Sequence, residues 1–204
     1  TLMRSSAASD VYKRQGYKSK ILNFESLKLL KLERLYLIGD SGISNYNFSL
    51  LPSLKKLEMI DCSNVKSVKF GKKSKIENLN LTWTSGKAHI DVSKLKRLKK
   101  FKSEFTGLKK ITFGKNNKNL TSICIKGNPL KTNRKIKKLD FSKLKKLQKI
   151  DIWDLDALNS VKFGNNKKLK KVTISSCNKL KKINVKGCKI PKKLKIGTEA
   201  EVIR

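Results

Sequence analysis

The chain is short of the residues on which catalysis and metal binding usually rest. It has one histidine, His89, and four cysteines spread from Cys62 to Cys188 without a CxxC pair. That spacing indicates neither a zinc site nor a disulfide framework. Acidic residues number only 15 against 50 Lys and Arg, a formal net charge of +35. No apolar run approaches the ~20 residues that span a bilayer, so no membrane insertion is expected of this segment. Neither GxxxxGK[ST] nor GxGxxG occurs, which leaves FGKNNKNL and FGNNKKL without a phosphate-cradling reading.

What the chain has is a repeat. Residues 147–185 read as one eleven-residue module written four times. Leu147, Ile150 and Ile152 set an apolar-x-x-apolar-x-apolar pattern, which returns at Leu158, Val161 and Phe163, at Leu169, Val172 and Ile174, and at Leu180, Ile183 and Val185. The alternating tail is a short strand with one buried face, because successive strand side chains point to opposite sides. Going backwards, modules begin at Ile136, Leu120, Leu108, Leu98, Lys87, Ile76, Val65, Leu54, Ile43 and Leu32. Of the forty-two inward sites in these fourteen modules, only Lys87 and Ser103 are not apolar. With apolar residues at 38% of the composition, about sixteen such sites would be apolar by chance. So short a strand cannot bury its face alone, and a fixed period means that neighbouring copies stack into a solenoid.

Two modules make one coil of about 22 residues. The expected architecture is about seven such coils, with parallel strands at 35–37, 57–59, 79–81, 101–103, 123–125, 150–152 and 172–174. In the first half of each coil, the eighth module position holds Asp40, Cys62, Thr84, Thr106, Asn128, Leu155 or Cys177, mostly small polar groups suited to bonding the backbone of an adjacent coil. Second-half strands end alternately in Phe/Val-Ser and Phe-Gly, as at Phe141-Ser142 and Phe163-Gly164. Glycine there suits a sharp reversal. Between Ile125 and Ile136 the chain is five residues too long for the register, and its Gly-Asn-Pro marks a bulging loop.

The ends are expected to be foreign or incomplete. Residues 5–15, SSAASDVYKRQ, read as the translation of a sequencing-library transposon adaptor, so residues 1–15 are set apart as a non-native tail of a metagenomic fragment. The solenoid is then expected over 16–204, uncapped at both ends.

The stretches LEMIDCSNVKSVKF (57–70) and LDFSKLKKL (139–147) resemble bacterial leucine-rich repeats, most of all the short-repeat BspA-like surface proteins. The chain departs from many of these in having Cys, Thr or Asp where they keep Asn, and its symmetric eleven-residue halves also suit a two-sided β-solenoid. The resemblance implies a leucine-rich-repeat β-solenoid that acts as an extracellular or cell-surface module for binding or adhesion. It implies no enzymatic activity.

Chemistry sought on its own terms points the same way, with no catalytic residue, cofactor or metal expected. His89 falls at a turn with no Ser or Cys at a motif spacing, and Asp91 and Asp140 lie on coils too far apart to work as a pair. Cys177 and Cys188, eleven residues apart, belong to opposite edges of one coil, so they are not expected to bridge. Two binding surfaces remain. The first is the outward strand face, with Tyr36, Ile38, Glu58, Ile60, Glu104, Asp151 and Trp153, flanked by Trp83 and Phe105. Exposed aromatics on a rigid sheet suit a protein ligand or a host or bacterial surface component, although Trp83 and Phe105 equally suit covering a coil edge. The second is a set of basic columns built from Lys55, Lys56, Lys109, Lys110, Lys145, Lys146, Lys170, Lys171, Lys181 and Lys182. Such columns would attract an anionic polymer, be it a cell-wall polymer, a glycan or nucleic acid, with strong salt dependence. The excess of Lys over Arg argues against specific reading of bases.

Overall fold

The repeat builds a parallel ladder. A computed structural model describes residues 11–15, 31–84, 89–127, 136–189, 193–197 and 199–204. First-half strands form one nine-stranded sheet. They are β1 (Val11–Gln15), β2 (Arg34–Ile38), β4 (Lys56–Ile60), β6 (Asn78–Thr82), β8 (Lys100–Glu104), β10 (Ser122–Lys126), β12 (Lys149–Trp153), β14 (Lys171–Ser175) and β16 (Lys193–Gly197). Each of the seven expected strands is found, one residue longer at either end. Second-half strands form two four-stranded sheets. One contains β3 (Asn45–Asn47), β5 (Ser67–Lys69), β7 (His89–Asp91) and β9 (Lys110–Thr112). The other contains β11 (Lys138–Asp140), β13 (Ser160–Lys162), β15 (Lys182–Asn184) and β17 (Glu201–Ile203). A single turn of 3₁₀ helix, Phe48–Leu50, is the one helix among the described residues.

Register fixes the period. Arg34 pairs with Lys56, Lys56 with Asn78, and Asn78 with Lys100, each step being one coil. The longest step is Ser122 to Lys149, which absorbs the five extra residues. The gap between the two four-stranded sheets falls at this same long coil, where residues 128–135 lie outside the described part. Thus the chain is a parallel β-solenoid of about seven coils, with a period inside the range of roughly 20–29 residues that leucine-rich repeats also have. The backbone of Val11–Gln15, within the stretch set apart in the sequence, runs parallel to β2 and pairs Val11 with Arg34.

The core lies between the sheets. Every described inward site is buried except Ile43, Val68 and Phe113, which are half-buried. Ser103, the polar exception, is fully buried and shares a 2.8 Å hydrogen bond with Thr106. Lys87 lies outside the described residues. An aromatic file runs beneath the second-half strands: Phe113 meets Phe141 at 5.7 Å, and Phe141 meets Phe163 at 5.8 Å. It carries the core across the break between the two small sheets, since Phe113 follows β9 and Phe141 follows β11.

Three local expectations are corrected. The eighth-position residues divide. Cys62 and Cys177 bond the backbone of the coil before, Cys62 donating to the Leu37 carbonyl at 3.7 Å and Cys177 meeting the Leu155 backbone, and both also donate within their own turns. Thr84 donates to Thr82 in its own turn. The groups that stitch neighbouring coils most firmly are Asn117 and Asn166, both buried. Asn117 donates to the carbonyls of Val92 and Leu95 at 2.8 and 3.0 Å, and Asn166 to that of Leu144 at 2.7 Å. The Phe-Gly positions are glycine mainly for room. A Cβ on Gly114 would stand 2.7 Å from the Ser93 Cβ of the coil before it, and of Gly71, Gly114 and Gly164 only Gly164 has a positive φ. His89 is not in a turn: it opens β7, and its ring Nε2 lies 2.8 Å from the Thr112 hydroxyl.

Candidate functional site

The outward positions of the nine-stranded sheet fall into lines set by the register. One runs Tyr36, Glu58, Asn80, Lys102, Cys124, Asp151 and Thr173. The next runs Ile38, Ile60, Thr82, Glu104, Lys126, Trp153 and Ser175. All of these are half-buried by their neighbours.

Charge on this face is neutralised pair by pair. Lys56 reaches Glu58 at 2.7 Å and the Tyr36 hydroxyl at 3.2 Å, with its ammonium 5.1 Å from the Tyr36 ring centroid. Glu104 takes Lys102 at 2.6 Å and Lys126 at 3.1 Å, and Lys126 also reaches Asp151 at 3.8 Å. Burial pushes the Glu104 carboxyl up, but the hydrogen bonds from Lys102, Lys126 and Cys124 outweigh it and hold the group below its ordinary value. Burial, then the neighbouring Glu104 carboxylate, push the Cys124 thiol up to about 12. Its Sγ donates to Glu104 at 3.4 Å, so it is a protonated hydrogen-bond donor rather than a nucleophile. Individual exposed ion pairs contribute ~0–1 kcal/mol, so their role is to set the electrostatics of the face. A groove of about 690 Å³ opens over the starts of β2, β4, β6 and β8, lined by Arg34, Tyr36, Lys56, Glu58 and Asn80 among others. Hydrophobic spacing carries no sign of it, because its walls are the ends of side chains from successive coils.

In six coils the residue after the first-half strand carries the distinctive geometry. Gly39, Asp61, Trp83, Phe105, Asp154 and Ser176 all have positive φ, between 52° and 65°. The conformation turns the coil edge while each N–H stays on the ladder: Asp61 donates to Thr82, Trp83 to Glu104 and Phe105 to Lys126, at 2.9–3.0 Å. Gly, Asp and Asn adopt this left-handed region readily, whereas bulky side chains incur ~1–2 kcal/mol. Trp83 and Phe105 nevertheless hold it in adjacent coils, their rings stacked at 4.6 Å and 27°. Trp83 is 45% exposed, the one exposed large hydrophobic side chain among the described residues.

The structure therefore brings Trp83 and Phe105 together, sets Tyr36 with Glu58, and joins Glu104 to Asp151 through Lys126. Ile38 pairs in register with Ile60 at the N-terminal end of the face. Trp153 stands apart, on β12, three strands along from β6. The lysine pairs do not share one edge. Lys55 is bound to Glu33 at 2.5 Å and Lys56 to Glu58, so this pair is neutralised. Lys109, Lys110, Lys181 and Lys182 lie at the starts of second-half strands, Lys145 and Lys146 in the turn after β11, and Lys170 and Lys171 at the start of β14, all exposed. Asp91 and Asp140 have local roles, accepting the N–H of Ser93 and Ser142 at 2.9 and 2.8 Å. The four cysteines are free.

The sequence matches no protein-family model and no curated protein. Among solved structures, the chain is similar to the leucine-rich repeat domain of the type III effector XopL, at 12% identity and a TM-score of 0.47. The likeness covers 95% of this chain and 78% of that one. The assignment as a solenoid rests on the strand ladder itself and not on this likeness.

Proposed function

We propose that the chain is a non-catalytic interaction module of a bacterial surface or secreted protein, binding a protein partner through the outward face of the nine-stranded sheet. The observation that carries this reading is the Trp83 and Phe105 pair: two stacked aromatic rings on left-handed backbone, one of them 45% exposed. Residues held in unfavourable backbone conformations persist where function keeps them, and aromatic anchors dominate the energetics of protein interfaces. The surrounding acids are already paired with lysines, so a partner need bring little compensating charge and meets an apolar platform. Adhesion is the activity this face suits.

The test compares Trp83→Ala with Phe105→Ala, combined, against Lys170→Glu with Lys171→Glu, in binding to bacterial and host cell surfaces across a salt series. Loss of a buried aromatic anchor is worth ~2 kcal/mol or more, about 30-fold in affinity. The aromatic variant should show that loss at physiological and at raised salt, because such interactions are screened little. If the lysine variant alone abolishes binding, the strand-face reading fails.

A further inference from the structure

The charges along the leading edge of the nine-stranded sheet change character halfway. In the N-terminal coils the residue before each strand alternates in sign, Glu33, Lys55, Glu77 and Lys99, and the members bond across coils: Lys55 to Glu33 at 2.5 Å and Lys99 to Glu77 at 2.7 Å. Before β12 and β14 stand Gln148 and Lys170, so no acid continues this alternation. The next position, the first of each strand, reads Arg34, Lys56, Asn78, Lys100 and Ser122 up to β10 and is lysine in every strand from β12 onward. Lys149, Lys171 and Lys193 open three consecutive strands, and the register sets them directly opposite one another. All three are exposed, and none forms an ion pair among the described residues. The only acid on these strands, Asp151, already faces Lys126. Strands in a sheet lie ~4.8 Å apart, and like charges in direct register destabilise it by a few tenths of a kcal/mol or more per pair. Exposed Lys146, Lys168 and Lys170 in the turns that lead into β12 and β14 add to the same positive field.

We propose that this row is a binding strip for a linear, base-free phosphate polymer that lies across β12, β14 and β16. The reading is independent of the Trp83 and Phe105 surface. Three ammonium groups repeated at strand spacing on a rigid ladder match a ligand that repeats its anionic groups along one chain. Lysine serves here as a point charge for phosphate, and the strip has no arginine for bidentate reading of bases. The only aromatic residue on the three strands is Trp153, at the opposite end of β12, so single-stranded nucleic acid finds no stacking platform along the row.

The experiment measures binding of inorganic polyphosphate and of poly(glycerol phosphate) by the intact chain as salt is raised. The strip variant is Lys149→Gln with Lys171→Gln and Lys193→Gln. The control, Lys69→Gln with Lys94→Gln and Lys115→Gln, removes the same charge from exposed positions elsewhere. The strip variant should bind ~10-fold or more weakly at physiological salt, and its salt slope should fall by about 2, at ~0.7 for each phosphate that no longer meets an ammonium. The control should change less than ~2-fold. The stronger of the two probes identifies the polymer. The strip variant should melt no lower than the parent, because like charges in register have been removed. Trp83→Ala with Phe105→Ala should bind polyphosphate like the parent. Equal losses in strip and control variants would reduce the effect to bulk charge and overturn the proposal. So would tighter, equally strip-dependent binding of duplex DNA, or a strip variant that melts lower.

Discussion

Replacing Gly127 with alanine should lower the melting temperature by roughly 6 to 12 °C, the equivalent of ~3 kcal/mol in a chain of this size. Gly127 follows β10 at the position that is left-handed in the other coils, yet its own φ is not positive. It is glycine for space. An added Cβ would coincide with the carbonyl oxygen of Asp154, the corresponding residue one coil later. That neighbour is backbone and cannot rotate aside as a side-chain tip would. Its position is fixed from both directions: Gly127 N–H donates to Trp153 at 2.8 Å, and Asp154 N–H donates to Ser175 at 3.1 Å. The clash sits where the five-residue excess enters the ladder, so relieving it means parting β10 from β12. Overpacking usually costs ~1–3 kcal/mol where side chains absorb it, and a backbone collision belongs at or beyond the upper end. A fall of less than about 2 °C in the thermal melt of Gly127→Ala would show that these coils do not approach as described.

Asn117→Ala should be nearly as damaging, at about 3 kcal/mol. The side chain is fully buried and makes three bonds, to Val92 and Leu95 in the preceding coil and, through its oxygen, to the N–H of Gly114 at 2.8 Å. Truncation orphans the Gly114 N–H, at ~1–3 kcal/mol for a buried polar group, and removes the second bond of two carbonyls that still accept from the N–H of Leu95 and Leu98 at 2.9 and 3.2 Å. Partial relaxation keeps the total well below the sum. Asn119, two residues on, provides the control: it donates to Lys96 at 3.2 Å from an exposed setting, and its loss should stay within ~0.5 kcal/mol. Urea melts of the two variants would show a lower midpoint for Asn117→Ala at unchanged slope. Equal midpoints would mean that the asparagine does not stitch the coils.

Much of the ladder is legible in the sequence because one physical fact, a buried strand face, repeats at fixed spacing. Leu57 and Met59, Phe101 and Ser103, and Ile150 and Ile152 all point inward where the period puts them, and counting alone locates the five-residue excess before Ile136. Periodicity misplaces His89 because it marks inward sites and leaves strand ends undefined. The ion pairs are visible in principle: Glu33 and Lys55, and Glu77 and Lys99, stand one coil apart in each case. Asn117 and Asn166 are harder to find, since a polar residue in a loop looks solvated. Their signal is that the matching turns elsewhere bury a leucine, Leu95 or Leu144. The left-handed backbone at Trp83 and Phe105 leaves no trace in hydrophobic spacing. Gly39, Asp61 and Asp154 in the same line are the residue types that favour that conformation, and they are the cue.

The central claim is that Trp83 is kept for contact with a partner and not for the fold, and the melting temperature of Trp83→Asn tests it most directly. Asparagine tolerates the left-handed region, so the substitution relieves ~1–2 kcal/mol of backbone strain. It forfeits the stacking on Phe105, worth ~0.5–1.5 kcal/mol, and little buried area, because the ring is 45% exposed. The two effects nearly cancel, so the variant should melt within about 2 °C of the parent or above it. A fall of about 5 °C or more would show that the ring holds the coil edge together, and would contradict the claim.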